Sequence, residues 1–220
     1  SVTPNVRYGF ASQQLYGRLD ARLYTDAMKA TVWQMHGGHF VDQFNGSMPI
    51  TPLLNSIYTL FDERNYLKEY QKTFLNIGYQ SQVLNAVKLF VSAEYAQRTA
   101  LVNHSAFTFA DDKNRVFSPN APVNLEMPVT TFATHNALLL NVAVDLRFKQ
   151  KYITRPDRRY YFPSKLPTVT LAYHKGIHTA GSSVDFDKVT AAVSYEKGFG
   201  LLGTSTIRMK GGTFLNNTSL

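Results

Sequence analysis

The chain has 220 residues, enough for one substantial β domain, and its lack of cysteine excludes disulfides, thiolate metal ligands and thiol nucleophiles. Its formal net charge is +8, but the basic residues are dispersed and accompany no basic helix or zinc pattern, so we expect no nucleic-acid partner. Charged residues make up 17% of the chain, and no apolar run is long enough for a membrane helix, whereas alternating membrane strands would escape a hydropathy window.

Alternation of apolar and polar residues predicts three strands in the first part of the chain. The predicted strands span residues 5–11, 14–26 and 29–40. The second is the clearest, because Leu19, Ala21 and Leu23 fall on one face and the residues between them are charged. In the third span, the Gly37-Gly38 pair predicts a bulge or a tight bend.

A different period occupies residues 53–72. Apolar side chains there recur every three or four residues and charged side chains lie opposite them, which predicts an amphipathic helix or two short helices. A helix cannot form part of a β wall. We therefore expect this insertion either to plug a lumen, where it could restrict a channel, or to pack at the periplasmic rim as a structured connection.

Alternation resumes after the helical segment, and residues 85–98 form a clear strand in which Phe90 is the exception on the polar face. Residues 103–128 are polar and rich in turn-forming residues, which indicates a long loop. A second loop is predicted for residues 151–167. The strands predicted after it span residues 168–177, 188–197 and 201–210, with a hairpin turn at Gly198-Phe199-Gly200.

The most regular strand spans residues 136–150. Every second residue from Leu138 to Phe148 is apolar. The alternate residues from position 141 onward, which include Asp145, Arg147 and Lys149, are small or charged. This length is close to the roughly 9–11 residues that a tilted strand needs to cross a bilayer. The apolar set is therefore predicted to face lipid and the charged set a lumen.

Together these segments predict an all-β, antiparallel fold with about eight to ten strands and one amphipathic helical insertion. Charges on the polar sides of the strands would face water in a soluble sandwich and the lumen in a membrane barrel. Strand length, abundant Tyr and Phe, and long loops alternating with short turns favour a transmembrane β-barrel, or part of one, over residues 1–220. The predicted lumen-facing residues are Arg18, Arg22, Lys88, Glu94, Asp145, Arg147, Glu196 and Arg208.

Four stretches resemble one known family. They are PITPLLNSIYTLFDERNYLKEYQK at 49–72, KYITRPDRRYYFPSKLPTVTLAYHKGI at 151–177, VDFD at 184–187 and GGTFLNN at 211–217. The family consists of Gram-negative outer-membrane proteins in which a carboxypeptidase-regulatory-like β-sandwich precedes a large β-barrel. The resemblance runs through nearly the whole chain, and its sequence matches are specific to that family.

The resemblance implies an internal portion of an outer-membrane barrel, because the sandwich is absent and family members continue with further strands past the position of Leu220. It implies localisation in the bacterial outer membrane, contact with outer-membrane lipid or lipopolysaccharide, and association with other outer-membrane proteins. It implies no peptidase, because the sandwich is similar to a non-catalytic accessory domain.

Two residue pairs have side chains that can bind metals but lack a supporting motif. His36 and His39 are separated by two glycines with only Asp42 nearby, so we expect no metal there. Asp185 and Asp187 share a strand face or a turn, and a solvated pair is a simpler interpretation than a cation site. Nucleophile, phosphate-loop and zinc-protease motifs do not occur in the sequence, so we expect neither a cofactor nor enzyme activity.

Three arginines, Arg155, Arg158 and Arg159, are the best candidates for a binding site. In a barrel they would lie in a turn at the membrane interface, where guanidinium groups can bind the phosphates of lipid or lipopolysaccharide. The alternative is an ordinary charged turn.

We therefore expect an integral outer-membrane protein that serves in transport, in envelope assembly or as a subunit of a larger complex. The sequence does not choose among these roles. The alternative is a soluble β-rich module that binds a ligand or a carbohydrate, with its charged faces in water.

Overall fold

The computed structural model describes residues 1–10, 12–46, 50–104, 107–109, 116–122 and 131–216. In this part of the chain, nine strands form one antiparallel sheet and two short strands form a separate hairpin. The sheet strands, in spatial order, are β1 (Val2–Gly9), β2 (Gln14–Asp26), β3 (Thr31–Gln43), β4 (Glu69–Leu84), β5 (Val87–Ala100), β6 (His135–Arg147), β9 (Thr168–Gly176), β10 (Phe186–Gly198) and β11 (Thr204–Phe214). The hairpin strands are β7 (Tyr152–Thr154) and β8 (Arg159–Tyr161).

The helix α1 spans Pro52–Asp62, so the prediction of helix as far as residue 72 is wrong in its second half. Thr51 caps the helix by accepting a hydrogen bond from the Leu54 N–H at 3.3 Å. Glu63 ends it in the left-handed conformation, with φ 55°. Residues from Glu69 onward join β4, because pairing with β3 and β5 supplies hydrogen bonds that override the helical spacing. Among the described residues, no helix is long and apolar enough to span a membrane.

Two further predictions need correction at the connection between β6 and β9. The strand β6 ends at Arg147, and Lys149 lies in a turn with φ 52°, so neither Phe148 nor Lys149 belongs to a face of the sheet. Residues 151–167 are not a loop throughout, because they contain the β7–β8 hairpin. In the predicted loop at 103–128, residues 105–106, 110–115 and 123–128 lie outside the described residues.

The pair Gly37-Gly38 does not form the predicted bulge, since the pairing of β3 with β2 and β4 runs through both glycines without a shift. The irregularities in register lie instead between Tyr24 and Asp26 and between Gln82 and Leu84. Gly38 has φ 146°, and a Cβ there would lie 2.2 Å from the Gly17 carbonyl oxygen. The glycine therefore allows β2 and β3 to approach closely.

Strand register and side-chain alternation divide the sheet into two faces. The first, here called the apolar face, includes Leu19, Leu23, Trp33, Met35, Leu75, Ile77, Val91, Leu140, Val142, Val144, Leu171, Val193, Ile207 and Met209. The second, here called the polar face, includes Arg18, Asp20, Arg22, His36, Asp42, Lys72, Lys88, Glu94, Arg98, Asn141, Asp145, Arg147, His174, Lys188, Glu196, Arg208 and Lys210. Charged residues on the apolar side of the described strands occur only near strand ends, at Glu69, Lys175, Asp187 and Lys197.

The two ends of the sheet carry different connections. At one end, here called the turn end, the short connections are residues 27–30, 85–86 and 199–203, and the β7–β8 hairpin lies beside them. At the opposite end, here called the loop end, the connections are residues 10–13, 44–68, 101–134 and 177–185. The helix α1 belongs to the loop end. It connects β3 with β4.

Candidate functional site

The candidate site is the polar face, where ion pairs join neighbouring strands. On β4, Lys72 Nζ lies 2.9 Å from Asp42 on β3 and 3.2 Å from Glu94 on β5. Arg98 adds a longer contact of 3.8 Å to the other Glu94 oxygen. Only 10% of the Lys72 side chain is exposed, so its charge depends on these carboxylates for compensation.

A second group lies on β2 and β3. The register pairs Asp20 with His36, and His36 Nδ1 is 2.5 Å from one Asp20 oxygen while Arg18 is 3.0 Å from the other. A cavity of about 510 Å³ opens between this group and the Lys72 group. Its lining includes the Phe40 and Phe74 rings beside the charged side chains. The cavity is polar and bounded by balanced charges.

A third group joins β5, β6 and β9. Asp145 accepts a hydrogen bond of 2.7 Å from the Thr170 hydroxyl and lies 3.5 Å from Arg147. Asn141 donates to the Ser92 hydroxyl at 3.3 Å, and its carbonyl oxygen lies 2.7 Å from His174 Nδ1. Hydrogen bonds thus extend the polar network across the middle of the sheet.

All eight residues predicted to face a lumen lie on the polar face. Sequence reasoning missed Lys72 as a member, because it assigned this residue to the helix. The signal was available, since Lys72, Phe74 and Asn76 alternate with Thr73, Leu75 and Ile77 in the pattern of a strand. Phe90 lies on the polar face as predicted, opposite Ala143.

Residues of the two pairs with metal-binding side chains contact other protein groups. His36 and His39 lie on opposite faces of β3: His36 contacts Asp20, whereas His39 contacts Thr73 and Gln71. Asp187 binds the Lys175 ammonium, the Tyr173 hydroxyl and the Asn216 amide. No group of three or more potential metal ligands occurs among the described residues.

The three arginines of the hairpin have different environments. Arg155 and Arg158 both lie over the Tyr160 ring, at 5.3 and 5.8 Å from its centroid. Arg158 also donates to Asp157 at 2.8 Å, which lowers the pKa of that carboxyl and raises the pKa of Arg158. Arg159 is held within the fold by Thr154 and Asn85, each at 3.3 Å. Arg155 therefore has the guanidinium with the fewest protein partners.

The hairpin lies across the turns of the turn end. The Tyr161 hydroxyl donates to the Met28 carbonyl at 3.3 Å, and the Arg159 backbone N–H donates to the Ala27 carbonyl at 3.4 Å. Below the hairpin, Gln82 on the polar face contacts Gln150 at 3.5 Å. These contacts place the hairpin over the polar face at this end, where a cavity of about 530 Å³ is lined by Tyr161 and Phe162 among others.

At the loop end, Asn55 ties α1 to the chain that enters β4. Its side-chain oxygen accepts hydrogen bonds from the backbone N–H groups of Tyr66 and Leu67, at 2.8 and 2.9 Å. The apolar side of the helix is largely uncovered, since Leu53 and Phe61 are exposed. The helix is thus anchored mainly through polar contacts.

Comparisons with known proteins give one match. No curated protein and no solved structure matches the chain. A family model described as the C-terminal domain of a family of unknown function, DUF5686, matches residues 1–220. The chain therefore belongs to this family and carries its C-terminal domain.

Proposed function

We propose that the protein is an integral β-barrel protein of the bacterial outer membrane, serving in transport, in envelope assembly or as a subunit of a larger complex. One observation carries the proposal: the exposed face of the sheet is apolar over nine strands, and its charges are confined to strand ends. Trp33 and Leu75 on this face are 46% and 44% exposed. Exposed apolar patches of this extent are typical of surfaces that contact lipid or another protein.

The apolar face has dimensions suited to a bilayer. From Leu138 to Leu146, β6 rises about 26 Å at about 3.3 Å per residue. A tilt of about 40° reduces this height to about 20 Å, close to the roughly 25 Å apolar band of outer-membrane barrels. Trp33 and Tyr79 stack edge to face near the turn end, where such barrels place aromatic girdles.

The edges of the sheet set a requirement on this proposal. In a bilayer, the unpaired backbone groups of β1 and β11 would each need hydrogen-bond partners. Because nine antiparallel strands leave β1 and β11 running in the same direction, antiparallel closure needs an odd number of further strands. These strands would come from the same polypeptide or from a partner.

The connections suggest an orientation and a lipid contact. Outer-membrane barrels have short periplasmic turns and longer extracellular loops, so the turn end would face the periplasm. The Arg155, Arg158 and Arg159 hairpin would then lie at the inner leaflet, where its partner would be phospholipid phosphate rather than lipopolysaccharide. Arg155, with the fewest protein contacts, is the first candidate for this role.

Extraction tests the proposal against the second candidate, a soluble ligand- or carbohydrate-binding module, which the open edges of the sheet favour. The native protein should partition with detergent and migrate differently on SDS gels before and after heating, because a closed barrel resists SDS until it is heated. Recovery as a monomer in buffer without detergent would overturn the membrane assignment. It would leave the soluble module as the explanation of the polar face.

A further inference from the structure

The carboxylates of the polar face are almost all neutralised by neighbouring cations. Asp20 is paired with Arg18 and His36, and Asp145 is paired with Arg147. Asp42 and Glu94 are both paired with Lys72. Apart from Asp26, the last residue of β2, Glu196 is the one carboxylate on this face of the described strands that has no ion pair within 4 Å.

Several cations on the same face have no such compensation. No carboxylate lies within 4 Å of these cations in the part of the chain that the structure describes. They are Arg22, Lys88, Lys188, Arg208 and Lys210. The polar face therefore keeps a net positive charge after its ion pairs are counted, and the carboxylates on the apolar side, Glu69 and Asp187, are themselves paired with Arg7 and Lys175.

The unpaired cations concentrate on the last strands of the sheet. Lys188 on β10 lies directly opposite His174 on β9, and Arg208 and Lys210 follow on β11. Arg208 and Arg147 line the cavity of about 530 Å³ together with hydroxyl residues such as Thr168 and Ser194 and the carboxylates Asp145 and Glu196. Guanidinium and hydroxyl groups donate hydrogen bonds to small anions.

We propose that the polar face favours anions and that, within the membrane barrel of the proposed function on which this inference rests, it conducts them in preference to cations. The ligand class is small anions: halide ions, inorganic phosphate, and organic anions that carry a carboxylate or a phosphate group. Rings of Lys and Arg give pores this preference, and walls of low dielectric constant focus the field of the unpaired charges. The neutralised pairs on β2–β6 contribute little to it.

The test measures ion selectivity of the native protein, purified in detergent and reconstituted in planar bilayers of neutral lipid. Under a gradient of potassium chloride, we expect a reversal potential that corresponds to a chloride preference. Replacing three cations together, as Lys188→Glu, Arg208→Glu and Lys210→Glu, should reverse the sign of that potential. High salt should weaken the preference, since the Debye length falls from about 10 Å at 0.1 M to about 3 Å at 1 M.

The control is Lys197→Glu, which makes the charge change of one of these three substitutions on β10 but on the opposite side of the sheet. It should leave the reversal potential unchanged. If the triple Glu variant does not insert, the corresponding triple Gln variant is measured, and it should lose the chloride preference without reversing it.

Two results would overturn the inference while leaving the membrane assignment intact. One is insertion with no conductance or with a potassium preference. The other is a shift of the reversal potential in Lys197→Glu that is as large as the shift in the triple Glu variant. Failure of the unmodified protein to insert, together with recovery in buffer, would instead overturn the proposed function and this inference with it.

Discussion

The two faces of the sheet consist of alternate residues of the same strands, yet on β4 their burial is the reverse of that in a sheet whose apolar face is covered. On β4, Lys72 of the polar face is 9% exposed, whereas Leu75 of the apolar face is 44% exposed. In water, an antiparallel sheet covers its apolar face with a second layer and leaves the polar face wet. The contrast shows that on β4 the charged side chain is buried among its ion-pair partners and the apolar side chain is the exposed one.

The apolar face and the polar face also differ in which side chains they require. Away from the strand ends, the described residues of the apolar face carry no charge and include Leu, Val, Met and Trp. The polar face requires specific partners, because a charge that is largely removed from water destabilises the fold unless an opposite charge is near. Substitutions should therefore be tolerated differently on the two faces.

The largest expected effect comes from a charge on the apolar face. Val144 lies on this face, three residues before the end of β6, between Leu89 and Leu171 on the neighbouring strands. In a membrane barrel, Val144→Arg should cost roughly 2–4 kcal/mol near mid-bilayer. Urea unfolding of the protein in lipid vesicles, followed by the heat-dependent gel shift, measures this loss of stability.

The control for this substitution is the adjacent residue on the same strand. Ala143 lies on the polar face opposite Phe90, so Ala143→Arg points the same charge to the other side. Its cost should be clearly smaller than that of Val144→Arg. Equal costs for the two variants would show that the faces do not differ in environment.

The second effect comes from removing a paired charge from the polar face. Lys72→Met leaves Asp42 and Glu94 without their shared cation and should lower the free energy of unfolding by about 1.5–3 kcal/mol. Urea unfolding in detergent measures the change. Adding Glu94→Gln should recover part of the loss, because fewer carboxylates are left uncompensated.

Lys188→Met provides the comparison for Lys72→Met, since Lys188 occupies the same face without a carboxylate within 4 Å. Its effect on the unfolding free energy should stay within about 0.5 kcal/mol. A loss as large as that of Lys72→Met would contradict the division of the polar face into paired and unpaired cations.

A third effect tests the backbone that both faces share. Gly38→Ala places a Cβ against the Gly17 carbonyl at a φ of 146°, and we expect a cost of about 1–3 kcal/mol. Urea unfolding again measures the loss. The reciprocal variant Gly17→Ala finds no atom within 4 Å of its Cβ and should be nearly neutral, so similar losses in both variants would rule out the close contact as the cause.

The smallest effect lies outside the sheet. Thr51→Ala removes the cap of α1 and should destabilise the helix by about 1 kcal/mol without altering either face. Hydrogen exchange of the α1 amides measures this local change. Ser56→Ala is the control, because Ser56 donates to the Pro52 carbonyl within the helix and caps nothing. Faster exchange throughout β4 in Thr51→Ala would show that the helix supports the sheet.

The sequence predicted the faces better than the ends of the elements. The prediction for β2, residues 14–26, agrees with the observed strand, and the eight residues predicted to share the polar side do so. It failed at Lys72 and at Phe148, where the local period continued but the structure changed. In both places the deciding interactions come from strands that are distant in the chain, or from a turn, which a local period does not report.

The partners of the charged side chains were also beyond sequence reasoning. Lys72 meets Asp42 and Glu94 only because β4 pairs with both β3 and β5 in a particular register. Likewise, His36 and His39 are near in sequence but separate onto opposite faces. A register shift of one residue would have moved every one of these side chains to the other side of its strand relative to its neighbours.

By itself, the sequence determined which residues of each strand share a face, because alternation is a property of the extended backbone and needs no partner. Only the tertiary structure decided which charges neutralise one another and which remain unpaired, where α1 ends, and that residues 152–161 fold back over the turn end. Those outcomes depend on register and on contacts between distant segments. The free energy that stabilises these contacts comes from interactions between strands, and the local sequence of one strand does not report it.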